Sequence, residues 1–98
     1  MIEGLHKAFE SRVRLGIMAV LTVNDQVEHN TLKELLSVTD GNLASHMAAL
    51  TALKYVQVRK RFVGNRPNTA YKATAAGTKV FKEHLDAMDR LLKKDLRQ

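Results

Sequence analysis

The sequence predicts an α+β fold that is mostly helical, in which two short helices joined by a tight turn precede a β-hairpin and a long final helix. Apolar residues recur with helical spacing up to about Leu53, alternate with polar residues from Tyr55 to Val63, and return to helical spacing after Thr74. The chain has 98 residues, and we expect one domain, residues 1–98, because a second would not fit this length.

The composition restricts the class of protein. Hydrophobic residues make up 45% and charged residues 27% of the chain, as in globular proteins. It has no cysteine, which excludes disulfides and thiolate metal sites, and no apolar run reaches membrane-spanning length. We therefore expect a soluble, cytoplasmic protein. The net charge of +6 favours a polyanionic partner such as nucleic acid, although a need for solubility would also explain it.

Three helices are predicted in the first half of the chain. An apolar stripe runs from about Leu5 to Val23, and Ser11 within it is a possible N-cap that would split the stripe into two helices. Thr31–Glu34 is a capping-box pattern that opens the next helix. A third helix, about Thr39 to Lys54, follows after only a few residues, and so short a connection predicts a helix-turn-helix.

The exposed face of the third helix is the first candidate DNA-binding surface. An α-helix fits the major groove, and residues near its N-terminus reach the base edges first. Asn42 can pair with adenine, but no Arg or Lys lies between Thr39 and Leu53, so the commonest contact with guanine is missing. The alternative is a helix pair that only packs a core. The candidate residues are Thr39, Asp40, Gly41, Asn42, Ser45 and His46.

The hairpin is the second candidate DNA-binding surface. Gly64–Asn68 has turn chemistry, and Thr69–Ala73 is predicted as its second strand. No acidic residue occurs from Tyr55 to Gly77, which suits a phosphate backbone, with Arg66 at the tip entering a minor groove. The alternative is a solvated edge strand protected by its cations. The candidate residues are Arg59, Lys60, Arg61, Asn65, Arg66 and Lys72.

The final helix carries a candidate dimer interface. Thr74 is its predicted N-cap, and it is expected to run nearly to Gln98. So long an amphipathic helix exceeds what one small core covers, so a seam between two copies is expected, with packing on its own domain as the alternative. The stripe consists of Phe81, Leu85, Met88 and Leu92.

Three segments carry a family resemblance: RVRLGIMAVL (12–21), LSVTDGNLASHMAAL (36–50) and YVQVRKRFVGNRPNTAYKATAAG (55–77). With the helix that follows, they resemble small winged-helix transcriptional regulators related to the MarR and ArsR groups. The resemblance implies a recognition helix that begins at Thr39. It also implies a homodimer built on terminal helices, which adds Leu5 and Phe9 to the candidate interface. The wing would be tipped near Asn65, Arg66 and Pro67.

The residues and the resemblance together predict a dimeric regulator that binds double-stranded DNA and has no cofactor. Relatives usually carry lysines in the recognition helix where this chain has Ser45, Ala48 and Ala49. We therefore expect the hairpin to supply most of the affinity and the specificity to be modest. A winged helix that binds a protein instead is the alternative, since its recognition helix is poor in charge. The four histidines stand singly, and no acid, base and nucleophile converge in the pattern, so neither a metal site nor an enzyme is predicted.

Overall fold

The structure is a computed structural model that describes residues 4–94. It confirms the predicted α+β fold with its helix-turn-helix, hairpin and long final helix. The three strands of the described chain form an antiparallel sheet in the order β1-β3-β2. The elements are a 3-10 helix (Lys7–Phe9), α1 (Arg12–Leu21), β1 (Val27–Glu28), α2 (His29–Leu36), α3 (Asp40–Ala52), β2 (Val56–Val63), β3 (Arg66–Ala73) and α4 (Ala75–Leu92).

The core lies where the first three α-helices meet the sheet. Helices α1, α2 and α3 supply its largest side chains, which belong to the apolar faces that the spacing in the sequence predicts. Val56 and Tyr71 contribute side chains to the core from the sheet. The largest fully buried side chains are Ile17, Met18, Leu21, Leu32, Leu43 and Leu50.

The first apolar stripe divides at Ser11, as its sequence suggested. Before Ser11, Lys7–Phe9 form the 3-10 helix, and the Ser11 side chain accepts a hydrogen bond from Arg14 N at 3.4 Å at the start of α1. A hydroxyl that caps the first free amides of a helix stabilises that helix end. The chain therefore turns between two helical segments instead of forming one helix to Val23.

Helix α2 begins at His29, two residues before the predicted capping box. Its N-cap is Glu28, whose side chain makes no capping hydrogen bond, and Thr31 is an exposed residue within the helix. The sequence did not predict β1, in which Val27 pairs with Tyr71 and Glu28 with Ala70. Because β1 fixes the chain up to Glu28, the helix starts directly after it. The capping-box prediction at Thr31 is therefore wrong.

The hairpin has a tighter turn and a longer second strand than predicted. Its register continues to Val63 opposite Arg66, so the loop contains only Gly64 and Asn65. Gly64 has a φ of +65°, at the first loop position where type II′ hairpin turns place glycine. Strand β3 consequently begins at Arg66 instead of Thr69, and Pro67 lies within it.

The start of helix α4 packs closely against the chain that follows α3. Thr74 caps it as predicted, since its hydroxyl accepts from Gly77 N at 2.9 Å and donates to Lys54 O at 2.7 Å. Gly77 is buried, and its backbone lies directly on that of Tyr55. The helix ends at Leu92, and the predicted continuation to Gln98 falls partly outside the described residues.

Phe9 and Phe81 were predicted as dimer-interface residues, and their burial corrects this. They are only 3% and 4% exposed, and their rings pack edge to face with centroids 5.4 Å apart. Each ring therefore belongs to the core of its own chain. Leu85, Met88 and Leu92 of the same stripe are exposed.

Within residues 4–94, no helix is long and apolar enough to cross a membrane.

Candidate nucleic-acid interface

Apart from Asp40, helix α3 presents a small, uncharged surface to solvent. Thr39 caps it, accepting from Asn42 N at 3.1 Å, and this fixes the start of the helix where the sequence predicted it. Gly41, Asn42 and Ser45 are exposed along its first turns. Ala44 and Ala48, next to them, are also exposed. This face offers methyl groups, one amide and one hydroxyl for contact with a partner.

Asp40, the acidic residue of this helix start, is held by two neighbouring side chains. Its Oδ1 lies 3.0 Å from His29 Nε2 and 3.2 Å from Lys33 Nζ. The hydrogen bond with His29, followed by that with Lys33, lowers the pKa of the Asp40 carboxyl. His29 Nδ1 in turn lies 2.7 Å from the hydroxyl of Tyr71, a buried residue of β3. Burial raises the pKa of Tyr71, which keeps its hydroxyl protonated. The chain of contacts links α3, α2 and the sheet.

His46 points toward α1. Arg14 Nε donates to His46 Nδ1 at 3.0 Å, and both side chains are half-buried. This leaves only Nε2 of the ring available to a partner. It also places a guanidinium next to the cation-free face of α3. No pattern in the sequence signals Arg14, because the contact joins residues in two separate helices.

The cations of the hairpin are divided between its two faces. Residues paired directly across two antiparallel strands lie on the same face, and the faces alternate along each strand. By the register of β2 and β3, one face carries Arg59, Arg61, Arg66 and Lys72. Lys60 lies on the other face with Val58, opposite Thr69 and Tyr71.

The basic residues of the hairpin are free of acidic partners. All five are exposed, and none forms an ion pair with another residue of the described range 4–94. Unpaired cations on one exposed element create a positive surface potential, which attracts a polyanion. The five residues are Arg59, Lys60, Arg61, Arg66 and Lys72.

A groove of about 670 Å³ separates α3 from the hairpin. Ala44, Ala48 and Ala52 line its helix side, and Val58 and Lys60 line its sheet side. Of the predicted DNA-binding residues, Lys60 lines this groove, and its face of the hairpin is turned toward α3. Within residues 4–94, no group of three or more His, Cys, Asp or Glu side chains could hold a metal ion.

Comparisons with known proteins identify this arrangement. The model of the winged helix DNA-binding domain family matches residues 13–92. An uncharacterized protein of Methanocaldococcus jannaschii is 38% identical over 79 residues, which are 81% of this chain and 86% of that protein.

Solved structures of transcriptional regulators share the fold. A transcriptional regulator homologue from Pyrococcus horikoshii is 28% identical, with a TM-score of 0.80 over 87% of this chain and 84% of its own. The S. aureus MepR–DNA complex has a TM-score of 0.77 at 13% identity, over 93% of this chain and 74% of its own. These neighbours are MarR-type regulators, which are not enzymes. The chain belongs to the winged helix DNA-binding domain family and has the fold of a DNA-binding transcriptional regulator.

Proposed function

We propose that the protein regulates transcription as a homodimer that places α3 in the major groove of double-stranded DNA and the hairpin on the phosphate backbone and minor groove. The observation that carries the proposal is a set of five cations, unpaired within residues 4–94, on a hairpin that lies across a groove from α3. An α-helix fits the major groove, and cations on an adjacent element neutralise phosphates.

Helix α3 and the hairpin contribute differently to DNA binding, because their side chains differ in charge. Helix α3 has no cation between Thr39 and Leu53, so it contributes shape and the amide of Asn42. The hairpin contributes most of the charge, and Arg66 beside the tip is the residue that enters the minor groove. Asp40 faces its own neighbours, His29 and Lys33, so its role is to hold the helix start.

Titration of duplex DNA across salt concentrations tests the proposal. The logarithm of the affinity should fall linearly with the logarithm of salt concentration, by a slope of about 0.9 for each neutralised phosphate. Arg66→Ala should weaken binding to all sequences and make the slope shallower, whereas Asn42→Ala should change sequence preference more than affinity. No affinity at low salt would contradict the proposal, and capture of a protein partner without DNA would favour the protein-binding alternative.

The proposed dimer interface is the exposed apolar surface of α4. Leu85 is 48% exposed, Met88 42% and Leu92 80%, and pairing with a second copy would remove them from water. Half-buried Leu5 belongs to the same proposed interface.

Light scattering across protein concentration should give the mass of two chains. Leu85→Lys should shift the equilibrium to the monomer. Leu35→Lys is the matched control, since Leu35 is 62% exposed on α2. A monomeric parent protein at tens of micromolar would remove the homodimer from the proposal.

A further inference from the structure

The outer half of the hairpin carries an apolar pair among its cations. Phe62 is 74% exposed, although phenylalanine, a large apolar residue, is normally buried. Pro67, also exposed, pairs directly with it in the register of β2 and β3. Because directly paired residues lie on one face of the sheet, Phe62 and Pro67 form a single apolar surface, which we call the tip patch.

The tip patch faces the same side as α3. Strand residues two apart share a face, so Phe62 follows Lys60 and Val58, which line the groove between the hairpin and α3. Pro67 likewise follows Thr69 on the opposite strand. The tip patch therefore extends the sheet side of the groove beyond α3, toward Gly64 at the tip.

The charges around the tip patch define the chemistry of its partner. Lys60 precedes it on the same face, and Arg61 and Arg66 flank it from the other face. A purely apolar protein surface would strip water from these cations without compensating their charge. The minor groove of DNA offers negative charge for the cations and an apolar surface for the tip patch, because phosphates line its edges and deoxyribose carbons form its walls. Phenylalanine and proline are among the apolar side chains that proteins insert into minor grooves.

We propose that Phe62, supported by Pro67, packs against the deoxyribose walls of the minor groove that receives the hairpin tip. The tip patch supplies a part of the DNA affinity that does not depend on salt, beside the ionic part supplied by the arginines. This inference rests on the proposed function, and it adds to it a second kind of contact with the same DNA.

The two kinds of contact are separable by their salt dependence. Phe62→Ala should weaken binding about tenfold at every salt concentration and leave the salt slope unchanged, because an apolar contact releases no counterions. Arg61→Ala should instead make the slope shallower by about 0.9. Val23→Ala is the matched control, since Val23 is an apolar residue that is 79% exposed after α1, and its affinity should equal that of the parent protein.

Each alternative result would contradict the role of Phe62. If Phe62→Ala binds DNA as tightly as the parent protein, and the affinity of the parent protein depends on salt, the proposed role of the tip patch is wrong and the proposed function stands. A shallower slope in Phe62→Ala would mean that the ring only positions cations. Loss of self-association in Phe62→Ala, without loss of DNA affinity, would assign the patch to a second copy. A parent protein without salt-dependent affinity would overturn the proposed function and the tip patch together. The circular dichroism melts of all three variants should coincide with that of the parent protein, because each replaced side chain is exposed.

Discussion

Arg14 Nε donates a hydrogen bond to His46 Nδ1 over 3.0 Å, and this contact joins α1 to α3. It gives the cation-free helix a guanidinium at its side, held in place by the imidazole. We expect Arg14→Ala to weaken DNA binding and to make the salt slope shallower by about 0.9, the value for one lost phosphate contact. Arg90→Ala, an exposed arginine on α4, should leave the slope unchanged. Equal slopes for both variants would exclude Arg14 from the interface.

Gly77 lies where α4 contacts the chain just after α3. A Cβ added there would overlap the carbonyl oxygen of Tyr55, and a backbone atom cannot move aside as a flexible side chain can. Gly77→Ala should therefore lower the free energy of unfolding by about 3 kcal/mol. Gly41→Ala is the control, because its Cβ would meet nothing within 4 Å, and it should be neutral or stabilising by up to about 1 kcal/mol. Urea denaturation measures both, and equal stabilities would contradict the close approach.

Lys54 adopts a left-handed conformation after α3, with a φ of 66°. Its N–H donates to Thr51 O at 2.9 Å, and Tyr55 N donates to Leu50 O at 3.0 Å, the two hydrogen bonds of a Schellman motif. Glycine adopts this conformation without the penalty that a Cβ brings. Lys54→Gly should raise the free energy of unfolding by about 1 kcal/mol, whereas Lys54→Ala should not raise it. A thermal melt that ranks alanine with glycine would contradict this.

Burial lowers the pKa of His84 below its ordinary value of 6.5, and the charge of His6 adds to the effect. The neutral ring also accepts a hydrogen bond from His6 N at 3.1 Å, which protonation of Nδ1 would remove. As the pH falls below 6.5, the unfolded chain takes up a proton that the folded chain accepts only at a lower pH. The free energy of unfolding therefore decreases through this window, down to the pKa of the folded state.

Denaturation by urea at several pH values between 7.5 and 5 measures this dependence. His84→Leu should lack the part of the decrease that begins near pH 6.5, because it has no group to protonate. His6→Ala should keep most of it, since the donor to His84 is the backbone N–H of residue 6. Parallel curves for the parent protein and His84→Leu would refute the assignment to His84.

The sequence predicted those features that depend on neighbouring residues. Ser11, Thr39 and Thr74 each cap a helix through a backbone amide three residues away, so a short segment contains all the information. The hairpin was also predicted, because the alternation of its strands and the turn chemistry at Gly64 are local.

Features that depend on distant partners were not predictable. Strand β1 has only two residues and exists because Val27 and Glu28 pair with β3. The residues near Thr31, taken alone, predict a helix start at the capping box. The two faces of the hairpin likewise depend on a register that the tight turn at Gly64 sets. The burial of Phe81 depends on its contact with Phe9, which lies on a segment remote in sequence.

His29 and Tyr71 provide a test of whether the link from α2 to the sheet acts as a unit. Tyr71 is 4% exposed, and its hydroxyl lies 2.7 Å from His29 Nδ1. His29→Ala leaves that buried hydroxyl without its partner, so we expect a loss of about 1 to 3 kcal/mol in the free energy of unfolding. Tyr71→Phe removes the hydroxyl itself and should cost less, about 1 kcal/mol, because the half-buried imidazole can still bond to water.

The double variant distinguishes this account from two independent contacts. His29→Ala combined with Tyr71→Phe should be more stable than His29→Ala alone, since it contains no orphaned hydroxyl. Lys33→Met is the control, because Lys33 contacts Asp40 at 3.2 Å without touching the bond to Tyr71, and its effect should add to that of Tyr71→Phe. Denaturation by urea gives all the free energies. If the losses of the His29 and Tyr71 variants simply add, the contribution of the buried hydroxyl to stability does not depend on the imidazole, and the contact does not act as a unit.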